Sequence, residues 1–172
     1  MNNQPPDFNV PHLLTIMQDK LQQLLHQRAI VDPIMIGIHT GGTWIARQLH
    51  RQMAITTPLG MLDISFYRDD FTRIGINPEV KPSSLPTSID DRHILLIDDV
   101  LHTGRTIRAA MNELFDYGRP ASIHLAVLVD RSGRELPIQA DVSATHIDLL
   151  PGQHIKLQGP EPLQLNLCLD QD

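Results

Sequence analysis

Residues 94–106 limit what this chain can fold into more than any other stretch. An apolar run of four residues stops at two adjacent carboxylates, Asp98 and Asp99, and a short turn with hydroxyls, a glycine and an arginine follows. From Ile107 onward, apolar side chains return at helical spacing. The pattern predicts a buried strand, a loop and the N-terminus of a helix.

A strand–loop–helix junction of this kind can hold an anion and a sugar side by side. The free N–H groups and positive dipole end of a helix N-terminus attract an anion, and neighbouring carboxylates accept hydrogen bonds from hydroxyls. A single aspartate could instead serve only as a helix cap. Two adjacent acids repel each other unless hydroxyls or a cation accompany them, so Asp98 and Asp99 favour a sugar-phosphate site.

Helical and extended patterns alternate along the rest of the chain. We predict helices over residues 11–27, 44–53 and 106–115, and strands over 34–38, 62–66, 94–97 and 122–129, with shorter extended runs at 145–149, 154–157 and 163–167. Strand–helix alternation in 172 residues predicts one α/β domain with a mostly parallel sheet flanked by helices. Ligands bind such sheets beyond the carboxyl ends of the strands.

Two segments do not fit this alternation. Residues 1–10 are predicted to be a frayed tail. Residues 68–91 are rich in proline and polar side chains and are long for an interior connection, which is typical of functional or disordered loops. We interpret 68–91 as a flap over the carboxyl ends of the strands.

Composition narrows the class of protein. A formal net charge of −6 argues against broad, non-specific nucleic-acid binding. This net charge does not exclude a local basic face on the protein. Cys168 is the single cysteine, so no internal disulfide is expected and a reducing compartment is indicated. The sequence shows neither a signal-peptide pattern nor an apolar run long enough for a bilayer, so we expect a cytoplasmic location and no membrane partner.

Four blocks of the chain together resemble a known family. Residues 94–106 resemble the phosphoribosyl-pyrophosphate (PRPP) signature of type I phosphoribosyltransferases, and residues 37–42, 62–70 and 129–138 resemble the PyrR family in order and spacing. PyrR proteins combine uracil phosphoribosyltransferase activity with control of pyrimidine gene expression. The resemblance implies a type I phosphoribosyltransferase-like fold, in which a mostly parallel twisted sheet is flanked by helices and a flexible flap lies over the C-terminal strand ends.

The resemblance also implies ligands and partners. They are Mg²⁺, held through water, the substrates PRPP and uracil, the products UMP and pyrophosphate, the effector UTP, a leader RNA and a second or further copies of the chain. The implied roles are Asp98 and Asp99 for the ribose hydroxyls and Mg²⁺, Thr103, Gly104, Arg105 and Thr106 for the 5′-phosphate, Thr40, Gly41 and Gly42 for the pyrophosphate loop, Arg68 for the leaving pyrophosphate, and Val129, Asp130 and Arg131 for the uracil ring.

Alternatives to these roles stay open. Residues 40–43 could be a plain turn, Arg68 could pair with a neighbouring aspartate, and His102 could be a ligand contact or an ordinary surface residue. Gly41 stands where many relatives carry arginine, and residues 144–158 are acidic and apolar where RNA-binding relatives are basic. Two other functions are therefore considered: a nucleotide-sensing, RNA-binding regulator with little catalysis, and a phosphoribosyltransferase for another base such as hypoxanthine.

Overall fold

The computed structural model describes residues 8–65 and 83–169. Within them the chain forms three helices and seven strands. In chain order these are α1 (Val10–Gln27), β1 (Ile34–Ile38), α2 (Gly41–Gln52), β2 (Gly60–Leu62), β3 (His93–Leu101), α3 (Arg105–Tyr117), β4 (Ser122–Arg131), β5 (Val142–Ile147), β6 (Gln153–Gln158) and β7 (Gln164–Leu169).

The first five strands form a single parallel sheet in the order β2-β1-β3-β4-β5, and β6 and β7 form a separate antiparallel hairpin. In the register of the sheet, Ile97 lies beside Gly37 and Leu101 lies beside Asp130. The carboxyl ends of β1, β3 and β4 therefore meet at one edge of the sheet. This arrangement confirms the predicted parallel sheet flanked by helices.

Alternate side chains of β3 enter two separate apolar layers, as the two-residue period of a strand requires. Leu95 and Ile97 pack with α1, α2 and the β6–β7 hairpin, whereas Ile94 and Leu96 pack with α3 on the other face. All four side chains are fully buried. In the described part of the chain, none of the helices combines the length and apolarity needed to cross a bilayer.

Helix α1 begins one residue earlier than its apolar periodicity predicted. The Asn9 side chain accepts a hydrogen bond from the backbone N–H of His12 at 3.1 Å, and Pro11 lies in the first turn. An asparagine cap and an early proline are typical of a helix start. The predicted tail 1–10 therefore ends before Val10, and residues 1–7 of it lie outside the described ranges.

Two local predictions are wrong. Residues 40–43 were expected to be a loop, but α2 already begins at Gly41. The strand expected over 62–66 ends at Leu62, because the Asp63 carboxylate accepts the backbone N–H of Ser65 at 2.9 Å and turns the chain away from the sheet. Phe66 lies outside the described residues.

The predicted flap, residues 68–91, is described only from Ser83 onward. Ser84 pairs with Met61 through two backbone hydrogen bonds of 2.9 and 2.8 Å, and the Ser83 hydroxyl accepts the backbone N–H of Asp63 at 3.0 Å. The described residues on the two sides of the gap, up to residue 65 and from residue 83, are therefore joined to each other beside β2.

Candidate active site

The two acids of the sequence signature lie in the last part of β3, at the carboxyl edge of the sheet. Asp98 is 3% exposed, and its Oδ1 accepts the backbone N–H of Asp99 at 3.0 Å. Asp99 is half-buried. Neighbouring strand residues point to opposite faces, so only one of the two carboxylates enters the interior fully.

The N-terminus of α2 lies directly against both acids. A Cβ placed on Gly41 would be 2.4 Å from Oδ2 of Asp99, and one placed on Gly42 would be 2.4 Å from the carbonyl oxygen of Ile97 and 3.2 Å from Oδ1 of Asp98. No side chain caps this helix. The positive end of the α2 dipole therefore lies beside two carboxylates, and the N–H groups of the first turn of α2 have no partner within the helix.

The residues predicted to form the pyrophosphate loop are thus brought next to the acid pair. Thr40 precedes α2 and is exposed, while Gly41 and Gly42 form its first turn. Glycine is required here by close approach, because any side chain would overlap β3 or Asp99.

The predicted phosphate loop forms the start of α3. Gly104 has a φ of +92°, a value that glycine adopts without strain, and it is the N-cap residue directly before α3. The Thr103 hydroxyl accepts the backbone N–H of Arg105 at 3.2 Å. The N–H groups of the first helical turn have no partner within a helix, so this turn offers a second cradle for an anion.

The phosphate loop is fastened to the segment that follows β4. The carbonyl oxygen of Thr103 accepts the backbone N–H groups of Glu135 and Leu136 at 3.0 and 3.1 Å. Nε of Arg105 donates to the Glu135 carboxylate at 2.7 Å. Gly104 also packs against the side chains of Leu136 and Ile138. The Arg105 side chain is consequently engaged with Glu135, and the backbone of the loop is the part left to face a phosphate.

The three residues predicted to hold the base have different environments. Val129 is fully buried in the apolar layer beside α1, so its side chain is part of the core. Asp130 forms an ion pair with Arg134 at 2.5 Å. Arg131 lines two adjoining cavities of about 570 and 530 Å³ that open on either side of residues 131–133. Of the three, Asp130 and Arg131 border open space, since both line the cavity of about 570 Å³.

Two further predictions concern the role of Arg68 and the binding of Mg²⁺. Arg68 lies outside the described residues, so its proposed role stays a prediction. Within residues 8–65 and 83–169, no group of three or more His, Cys, Asp or Glu side chains could hold a metal by itself. Asp98 and Asp99 do fit Mg²⁺, which proteins commonly bind through one or two carboxylates together with water and substrate phosphates.

Sequence reasoning missed the residues that join the loops. Glu135 and Arg134 lie in the block that resembled the family, yet no local pattern indicates that they bind Thr103, Arg105 and the carbonyl oxygen of His102. His102 was left open as a ligand contact. Burial and the nearby Arg131 lower the pKa of His102, Glu135 opposes this effect and Arg134 adds to it.

Comparison with known proteins decides the family. The model of the phosphoribosyl transferase domain matches residues 9–157. The chain belongs to the phosphoribosyltransferase family. It is 55% identical over 166 residues to the bifunctional protein PyrR of Nitrosococcus oceani, covering 95% of this chain and 94% of that protein. It is 53% identical over 157 residues to the bifunctional protein PyrR of Pseudomonas aeruginosa, with 91% and 92% coverage.

Solved structures of the family share the fold. A hypoxanthine-guanine phosphoribosyltransferase from Bacillus anthracis superposes with a TM-score of 0.66 at 15% identity, covering 86% of each chain. A hypoxanthine phosphoribosyltransferase from Trypanosoma cruzi gives 0.66 at 18% identity and 98% coverage of both chains. Together these comparisons confirm the predictions of a type I phosphoribosyltransferase fold and of a phosphoribosyl-transferring enzyme of the PyrR type.

Proposed function

We propose that the chain transfers the phosphoribosyl group of PRPP to uracil, giving UMP and pyrophosphate. The observation that carries the proposal is the placement of Asp98 and Asp99 against the N-terminus of α2, at the sheet edge where α3 also begins. PRPP has phosphate groups at both ends of a ribose, and this site offers anion-binding N–H groups on both sides of two hydroxyl-accepting acids. The similarity to PyrR proteins supports uracil as the acceptor.

The chemistry of the step follows from the charges. The bond between C1 of the ribose and pyrophosphate breaks, a bond from C1 to a ring nitrogen of uracil forms, and the proton of that nitrogen passes to the departing pyrophosphate or to solvent. Positive charge develops at C1, which the carboxylates of Asp98 and Asp99 favour. Negative charge develops on the departing pyrophosphate, which the N–H groups of residues 40–42 stabilise. Orientation of the two reactants accounts for much of the remaining acceleration, and no covalent intermediate with the protein is required.

Mg²⁺ belongs to this proposal as a partner of the substrate. When bound, it neutralises part of the charge on the pyrophosphate. Asp98 and Asp99 would hold it, and the same carboxylates orient the ribose hydroxyls.

The test is replacement of both acids by their amides. The pair Asp98→Asn with Asp99→Asn preserves shape, so we expect kcat/KM for uracil to fall by about a hundredfold or more with little change in Tm. Asp116→Asn, on the exposed side of α3, is the matched control and should keep wild-type rates. Wild-type turnover by the double variant, or absence of calorimetric binding of PRPP and UMP in the presence of Mg²⁺, would refute the site. Hypoxanthine as acceptor in the same assay tests the alternative base.

We propose nucleotide-responsive regulation as a second function, supported by the name "bifunctional" of the similar PyrR proteins. Because the net charge is −6, binding of a leader RNA would need a local basic face. RNA affinity measured with and without UMP over a salt series tests this, since phosphate contacts weaken steeply with salt. Affinity that ignores both UMP and salt would refute regulation through RNA. Assembly into a dimer or tetramer, which we also propose, is measured by light scattering.

A further inference from the structure

Four polar side chains meet at the amino edge of the parallel sheet, at the opposite end from the acid pair. His93 begins β3, Ser122 begins β4, and His124 follows Ser122 on the same face of that strand. His93 and Ser122 lie side by side in the register of the two strands. Asp141, the fourth member, directly precedes β5. At the rise of a strand, Asp98 is about 16 Å further along β3 than His93, so the proposed transfer reaction does not use this group.

The Ser122 hydroxyl lies between two imidazoles. Its Oγ is 3.0 Å from Nε2 of His124 and 2.8 Å from Nδ1 of His93. On the far side of His124, Nδ1 lies 3.6 Å from Oδ1 of Asp141. The other carboxylate oxygen, Oδ2, accepts the backbone N–H of Leu125 at 2.9 Å, which holds Asp141 in place. A hydroxyl, an imidazole and a carboxylate therefore follow one another in the order that nucleophilic serine sites use.

The hydrogen-bonding capacities of these groups determine which way the protons point. A carboxylate only accepts, so Asp141 favours the His124 tautomer whose proton is on Nδ1 and whose Nε2 is an acceptor. The single proton of the Ser122 hydroxyl then points to His124. Because Oγ has no second proton to give, Nδ1 of His93 donates to it. The hydroxyl therefore faces a base on one side, and on the other side a donor that favours negative charge on Oγ.

The members of this group differ in their access to solvent. His124 is 8% exposed, whereas Ser122 and His93 are half-buried. Burial strengthens the hydrogen bond between the base and the hydroxyl, because the local dielectric is low. The hydroxyl itself is partly exposed, so a small molecule can reach it from solvent.

We propose that Ser122 is an activated nucleophile that accepts an acyl group from a small ester or thioester with a good leaving group. In this step Oγ bonds to the carbonyl carbon, and its proton passes to Nε2 of His124. The bond from that carbon to the leaving oxygen or sulfur breaks, and the leaving group takes the proton from His124. The products are Ser122 carrying the acyl group on Oγ and a free alcohol or thiol.

Acetylation by p-nitrophenyl acetate tests the proposal. The probe is added to the full chain at pH 8, samples are quenched with acid, and acetyl groups are located residue by residue by mass spectrometry. A positioned general base contributes about 10²–10⁴-fold, so Ser122 should be acetylated at least about a hundredfold faster than Ser88. Ser88 is the matched reference in the same molecule, because its exposed hydroxyl donates to the Asp90 carboxylate at 3.2 Å rather than to an imidazole.

Variants of the group separate activation of the hydroxyl from packing. His124→Gln should slow acetylation of Ser122 by about a hundredfold or more, because the base is removed. Asp141→Asn no longer favours the required tautomer and should slow it by at least about tenfold. Ser122→Ala should abolish acetylation at this position and leave the rate at Ser88 unchanged.

Two outcomes overturn the proposal. One is acetylation of Ser122 that is no faster than acetylation of Ser88. The other is an unchanged rate at Ser122 in folded His124→Gln, which would assign these hydrogen bonds to the fold alone. The Tm of each variant identifies a folding defect. If His124→Gln does not fold, Asp141→Asn decides the question, and an unchanged rate in that variant then overturns the proposal.

Discussion

Replacing Gly41 and Gly42 one at a time by alanine should separate the activity of the site from the stability of the fold. Both residues begin α2, where alanine is intrinsically favoured over glycine by up to about 1 kcal/mol. They differ in what the added methyl group meets. At Gly41 it meets the Asp99 carboxylate, with Oδ2 at 2.4 Å and Cγ at 2.6 Å. At Gly42 it meets backbone, the Ile97 carbonyl oxygen at 2.4 Å and Cα of Asp98 at 2.9 Å.

The expected magnitudes follow from these contacts. In Gly41→Ala the carboxylate must move by roughly 1 Å to regain ordinary contact, and a shift of that size at a reacting centre can cost about a hundredfold in rate. The rotation costs about 0.5–1.5 kcal/mol and the helix gain offsets it, so stability should change by less than about 1 kcal/mol. In Gly42→Ala the helix itself must move, which typically costs about 1–3 kcal/mol.

Thermal unfolding and kcat/KM, measured on the same preparations of each variant, test the expected changes in stability and in activity. For Gly42→Ala, a net loss of about 1–2 kcal/mol corresponds to a Tm lower by about 2–8 °C. Gly41→Ala should show a Tm near the wild type with strongly reduced kcat/KM. Wild-type activity in Gly41→Ala would show that the reaction does not depend on the present position of the Asp99 carboxylate. Unchanged Tm in Gly42→Ala would show that α2 and β3 are not in tight contact.

Three further predictions concern single side chains. Leu96→Ala, at a fully buried position, should lower the free energy of unfolding by about 2–5 kcal/mol in a urea titration, and a loss under 1 kcal/mol would contradict the packing described. Glu135→Gln removes an ion pair with Arg105 whose side chains are 52% and 53% exposed, so the loss should stay below about 1 kcal/mol and shrink with salt. Because the folded-state pKa of His102 is lowered, the unfolded chain binds more protons below about pH 6.5. The stability difference between wild type and His102→Asn should therefore be constant above that pH and fall as the pH drops, and a difference independent of pH would refute this.

The parts of the fold predicted correctly are those encoded by local periodicity. The run from Ile94 to Ile97 is apolar at every position because both faces of β3 are covered by helices, and the sequence shows this directly. The acids that end the run are predicted to lie at the edge of a parallel sheet, and they do. The helix predicted over 106–115 begins one residue earlier, at Arg105, and ends two residues later, at Tyr117.

The parts that could not be predicted depend on contacts between distant segments. Glycines at 41 and 42 indicate a turn when only neighbouring residues are considered. In the structure their role is to let α2 approach Asp98 and Asp99, which no local pattern encodes. Val129 was assigned to the base on resemblance, and no local pattern showed that its side chain lies in the core; the assignment itself stays a prediction.

The fold can place Asp98 and Asp99 side by side at the sheet edge because the N-termini of α2 and α3 lie at the same edge. β1 leads into α2 and β3 leads into α3, and β1 and β3 are neighbours in the sheet, so two helix N-termini come to the same edge from opposite faces. Each contributes about half a positive charge, which offsets part of the repulsion between the acids. The same two ends remain available to anions on either side of the acid pair. A ligand with a sugar in the middle and phosphate at both ends matches this distribution of charge, whereas a ligand with a single phosphate leaves one N-terminus unused. A ligand that occupies both helix N-termini should therefore bind more tightly than a ligand that occupies one. PRPP should accordingly bind more tightly than ribose 5-phosphate in the same buffer.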